Sequence, residues 1–138
     1  MRIAQPISLA GLIALQVVLA SGCTSPVPPT VTRAPMTSLS AHPAIYLQAN
    51  VQRPRILDSL RGAGIRTAKS FEEADYILAV DVGKRRVNMQ CGGMHNIVYT
   101  LGDKGFPLMQ IKGRGLTGTC APNVFDDMSL KLATYFGD

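Results

Sequence analysis

The chain has 138 residues, 46% of them hydrophobic and 17% charged, and its 14 Lys and Arg against 9 Asp and Glu leave a formal charge of +5. A chain of this length, once any leader is set aside, supports one small core. The basic excess suits anionic envelope partners such as lipopolysaccharide, and it falls far short of a nucleic-acid footprint.

The first residues have the three parts of an export signal: Met1-Arg2, a mostly apolar stretch from Ile7 to Ala20, and small residues before Cys23. The apolar stretch is too short for a permanent span, which needs roughly 20 apolar residues. Leu19-Ala20-Ser21-Gly22-Cys23 resembles the lipobox of bacterial lipoproteins. The resemblance implies cleavage before Cys23, a diacylglyceryl group on its thiol and a third acyl chain (typically palmitate) on its new amino terminus. More than one chain, at about 0.8 kcal/mol per buried methylene, gives stable membrane attachment. Thr24 follows the cysteine, and the family's sorting rule reserves inner-membrane retention mainly for Asp there. The expected address is therefore the periplasmic face of the outer membrane.

From Thr24 to Pro43 the chain is rich in Pro, Ser and Thr and poor in large apolar residues. Such a stretch reads as an extended, disordered tether, able to hold a domain roughly 50–60 Å from the headgroups. The expected organisation is a signal peptide over 1–22, the lipidated cysteine and tether over 23–43, and a small periplasmic domain over 44–138.

Within that domain, Ala44 to Ala49 reads as a strand and Arg53 to Ala63 as a helix. Pro54 suits the first turn, Ile56, Leu57, Leu60 and Ala63 share a face, and Gly62 and Gly64 stop the helix. Ile65 to Ala68 is a short strand. Ser70 and Glu73 have capping-box spacing, which predicts one or two helical turns. Tyr76 to Lys84 alternates as a strand, and Ile77 and Ala79 on its second face suggest a central position. Asn96 to Leu101 and Phe106 to about Thr119 are two more strands, joined by a hairpin turn at Gly102-Asp103-Lys104-Gly105. Gly113, Gly115 and Gly118 suggest a bulged or tightly curved strand. Asn123 caps a final helix whose stripe is Phe125, Met128, Leu132, Tyr135 and Phe136, with Asp127 and Lys131 as an exposed pair. The order β-α-β-(α)-β-β-β-α predicts an α+β domain, with helices packed on one mostly antiparallel sheet.

The run Arg55 to Ile65, followed by Glu73-Ala74-Asp75-Tyr76-Ile77-Leu78-Ala79-Val80-Asp81-Val82, is similar to the small accessory lipoproteins of curli and Pel-polysaccharide export. There a helix ending in Gly leads to a strand, and an Ala-Asp-Tyr run leads into a central strand. The resemblance is one of packing and carries no functional residues over.

Cys91 and Cys120 flank the hairpin, and in an oxidising periplasm two such cysteines pair. Antiparallel pairing brings those ends together as bridge geometry requires, and closing a loop of about 30 residues contributes roughly 3–4 kcal/mol. A redox pair would need two cysteines two residues apart. A structural zinc site on Cys91, His95 and Cys120 would lack its fourth ligand. No metal or cofactor is therefore expected. Lys84-Arg85-Arg86 is the densest basic run, and Met94 and His95 lie in a Gly-rich loop; these five are the candidate contacts for a partner or ligand. No nucleophile–base motif is present and no residue is assigned a catalytic role. The functional expectation is a non-enzymatic accessory lipoprotein of an envelope assembly or export system, working by protein–protein contact. The alternative is a module that binds an anionic polysaccharide or lipopolysaccharide, or a small inhibitor that guards the envelope.

Overall fold

The computed structural model of the protein describes residues 28–33, 38–85, 93–118 and 123–137. Cys23 with its signal segment, Arg86, and the expected disulfide partners Cys91 and Cys120 lie outside the described residues.

Six strands form one sheet: β1 (Thr30–Arg33), β2 (Ala44–Ala49), β3 (Arg66–Thr67), β4 (Tyr76–Val82), β5 (Met94–Gly102) and β6 (Pro107–Leu116). Helices α1 (Arg53–Gly62) and α2 (Val124–Ala133) complete the fold. The strand order is β1-β6-β5-β4-β2-β3. Pairing is antiparallel from β1 to β4 and parallel for β4–β2 and β2–β3. The domain is α+β as expected, but the sheet is mixed, because α1 carries the chain back to start β3 and β4 in the direction of β2.

One sheet face carries Ile45, Leu47, Leu78, Val80, Ile97 and Tyr99, all buried, and both helices cover it with Ile56, Leu60, Phe125, Met128 and Leu132. Asn123 caps α2 as expected, its Oδ1 accepting from the Phe125 amide at 2.8 Å. α1 ends where Gly64 turns left-handed (φ +80°) and the Ile65 amide donates back to the Leu60 carbonyl at 3.0 Å. The helices are tied together by the buried Ser59 hydroxyl, 2.7 Å from Asp126 Oδ1. Lys131 lies over the Tyr135 ring at 6.0 Å instead of standing in an exposed pair with Asp127.

Three local expectations are corrected. The stretch 24–43 is not an extended tether throughout. Thr30–Arg33 is the edge strand β1, paired with Met109–Lys112 of β6, and Leu39 is a core residue at 3% exposure. A short run of β-branched residues suffices for an edge strand once a partner edge is offered, which composition alone does not register. Ser40 is held by the Tyr76 hydroxyl at 2.9 Å, and Tyr76 stacks on Phe136.

Ser70–Glu73 forms a turn, closed by the Ala74 amide on the Phe71 carbonyl, and not a helix. The chain there has only a few residues before Asp75 must receive the Ala44 amide on its carboxylate at 2.8 Å and lead into β4.

The register of β6 against β5 is continuous from Met109 to Leu116, so Gly113 and Gly115 mark no bulge. A Cβ on Gly113 would stand 2.8 Å from Met128 Sδ, and one on Gly115 would stand 2.9 Å from Val124 Cβ. These glycines let α2 approach the sheet closely.

Candidate functional site

The second face of the sheet is not covered by either helix. Its antiparallel part, β1, β6, β5 and β4, tolerates this when residues on the open face are mixed in polarity. Along β4 the burial alternates, so Ala79 and Asp81 are exposed and Ile77 is half-buried. β4 is central in the strand order as expected, but Ile77 and Ala79 lie on its uncovered face. Gln110 Nε2 donates to Thr100 Oγ1 at 3.3 Å on this face, while Val98 and Leu108 are half-buried beside them.

At the β5–β6 hairpin end the open face deepens into a shallow concavity of about 370 Å³, floored by Ile77, Ala79 and Thr100 and walled by Phe71 and Phe106. Phe106 is 64% and Phe71 39% exposed. Asp103 Oδ1 accepts from the Gly105 and Phe106 amides at 2.8 and 3.1 Å, which fixes the hairpin tip that presents Phe106. Tyr46 meets Phe71 edge-to-face at 6.4 Å, and Lys104 Nζ lies 5.3 Å from the Phe71 centroid. Two exposed aromatic rings beside small and apolar floor residues are the composition of a contact surface, since rigid aromatic side chains supply area at low entropy cost. Reading along the sequence did not single out Phe71 or Phe106. Their nearness comes from β2, β4 and β5 lying side by side, and no local signal carries it.

The expected contact residues that are described stand at one end of the sheet. Lys84 and Arg85 are exposed just beyond β4, with the Arg85 side chain lying against Gly93, and Met94 is half-buried at the start of β5. His95, expected to be available to a partner, is turned into the core at 8% exposure, with Nδ1 2.6 Å from the Gly83 carbonyl. The imidazole pins the ends of β4 and β5 together. Its position in β5 puts it on the helix face along with Ile97 and Tyr99, a consequence of strand phase.

Among the described residues there is no group of three His, Cys, Asp or Glu side chains placed to hold a metal ion. Burial raises the Tyr99 hydroxyl far above its ordinary range; the Ser129 hydrogen bond opposes this and Asp126 adds to it. Tyr99 Oη lies 3.2 Å from Ser129 Oγ under α2, closed off from the open face, so its neutral form serves packing.

No family model matches this chain, nor does any curated protein sequence. Similar solved structures include a variant PelC dodecamer from Paraburkholderia phytofirmans, at 17% identity over 78% of this chain and 98% of that chain, with a TM-score of 0.49. A second PelC dodecamer from the same organism matches at 17% identity over 78% and 94% of the two chains, TM-score 0.43. A minor lipoprotein from Acinetobacter baumannii matches at 9% identity over 69% and 90%, TM-score 0.35. At these identities and scores, the function must be read from the chain's own residues.

Proposed function

We propose that this chain is a lipoprotein anchored through Cys23 at the periplasmic face of the outer membrane, and that it works as a non-enzymatic accessory component of an envelope assembly or export system. The observation that carries the protein–protein part of this reading is the uncovered sheet face, with the exposed Phe71 and Phe106 walling a shallow concavity. The anchor is supported by the leader and the lipobox-like run before Cys23.

A bridge between Cys91 and Cys120 belongs to the same reading. Met94 pairs with Leu116 across β5 and β6. The segments leading to the two cysteines therefore leave the sheet from neighbouring positions, three residues before Met94 and four after Leu116.

The test is photocrosslinking of the full chain in intact cells. A photoreactive amino acid replacing Ala79, at the centre of the open face, is expected to give a discrete protein adduct. The same amino acid replacing Thr134, on the exposed side beyond α2, is expected to give none. Absence of an adduct at Ala79, together with absence at a second open-face position such as Gln48, overturns the proposed contact.

A further inference from the structure

The direction of the edge strand β1 decides which end of the domain lies nearest Cys23. β1 is antiparallel to β6, with Thr30 opposite Lys112, so the residues before Thr30 approach from the end of the sheet where β6 finishes at Leu116. β4 runs toward the same end and β5 starts from it, because Val82 pairs with Ile97 and Met94 with Leu116. That end therefore gathers the exposed Lys84, Arg85 and Arg114, with Lys112 one pleat inward. Arg53 and the 47% exposed Val51 stand beside them, in the turn that leaves β2 and opens α1.

The carboxylates facing this end are Asp81, Asp126 and Asp127. Asp81 accepts from the Asn50 side chain and Asp126 from Ser59. At the opposite end Glu72, Glu73, Asp75 and Asp103 stand with Lys69, Lys104, Arg33, Arg61, Arg66 and Lys131. At the entry of the chain Lys84, Arg85, Lys112, Arg114 and Arg53 outnumber the three carboxylates, and this basic cluster lies at the end from which Cys23 is reached.

Only Thr24 to Pro29 separate Cys23 from β1. At roughly 3.3–3.6 Å per residue, the covalent reach from Cys23 to Thr30 is no more than about 25 Å, less than half the reach of a tether running to Pro43. We propose that the basic end of the sheet is a membrane-apposed surface, and that Lys84, Arg85, Lys112 and Arg114 rest against anionic phospholipid headgroups. This rests on acylation of Cys23. An acyl anchor with a basic patch is a two-signal attachment. Each Lys or Arg held within about a Debye length of an anionic surface adds roughly fivefold to the partition.

The experiment uses the acylated full chain reconstituted in vesicles of phosphatidylethanolamine and phosphatidylglycerol, in phosphatidylcholine vesicles, and in detergent. Lysines are pulse-acetylated and read by peptide mass spectrometry. Lys84 and Lys112 are expected to label about threefold or more slowly on phosphatidylglycerol vesicles than in detergent, with the difference shrinking in high salt. Lys69, Lys104 and Lys131 are expected to label equally in all three. Uniform labelling, or slowing at Lys69 and Lys104 instead, overturns the orientation. Slowing by soluble dextran sulfate in detergent without slowing on vesicles overturns it in favour of a glycan ligand. The mass of the Cys23 peptide separates the two levels. A missing acyl mass removes the anchor and this proposal with it, whereas an acylated chain with uniform labelling removes the orientation alone.

Discussion

Tyr99 shows how a single buried hydroxyl couples this fold to pH. In the folded chain burial keeps it protonated far above its ordinary value of 10.0, while in the unfolded chain it ionises near that value. The unfolded state thus holds fewer protons above pH 10 or so, and stability falls as pH rises. The contribution is complete below the unfolded value and is lost progressively above it. Denaturant midpoints should therefore be insensitive to this residue up to about pH 10 and then decline. Tyr99→Phe should cost about 1 kcal/mol at neutral pH, since Ser129 Oγ loses its partner, and should make the alkaline decline shallower. An alkaline decline unchanged in Tyr99→Phe would assign it to other groups. At the same scale, the Ala-Asp-Tyr run can now be understood physically. Ala74 is buried, the Asp75 carboxylate receives the Ala44 amide, and Tyr76 holds Ser40. That run was legible in the sequence as a pattern; what the Asp75 and Tyr76 side chains hold was not, because their partners lie 31 and 36 positions away.

Among the elements, those with strong local signals stand where periodicity and capping put them. β4 alternates, α1 carries Pro54 in its first turn, and α2 is capped by Asn123 with Asp126 and Asp127 in its first turn. The failures share one cause. The stretch before Pro43 and the Ser70 turn are both decided by long-range pairing, which overrides composition and cap spacing. Leu39 tests this directly. Its side chain is buried, and the Gly137 amide donates to its carbonyl at 3.2 Å, so Leu39→Ala should cost about 2–5 kcal/mol. A tether residue would cost nothing measurable. Equilibrium unfolding decides between the two, and limited proteolysis should show earlier cleavage near residue 39 in the variant.

At the scale of the whole molecule, two features organise the proposed function: a sheet covered on one face only, and charge gathered at the end where the chain enters. A bridge between Cys91 and Cys120, as proposed, would close the hairpin at that same end. Cys91→Ser is expected to lower the unfolding free energy by roughly 3–4 kcal/mol, and reduction of the parent protein should reproduce the loss. Parent and variant of equal stability under oxidising conditions would remove the bridge.

By itself the amino-acid sequence determined the α+β class, the hairpin and both helices. These depend on spacing over a few residues, where side-chain period, caps and turns act locally. Only the tertiary structure decided that Thr30–Arg33 joins the sheet, that His95 points inward, that Gly113 and Gly115 admit α2, and that Phe71 and Phe106 wall one concavity of the open face. Each of these brings together residues distant in the chain, set by which edges and faces remain to be paired once the local elements have formed. The short span from Cys23 to β1 joins the two levels: the sequence places the cysteine proposed as the anchor, and strand pairing decides how near the domain can be held to it.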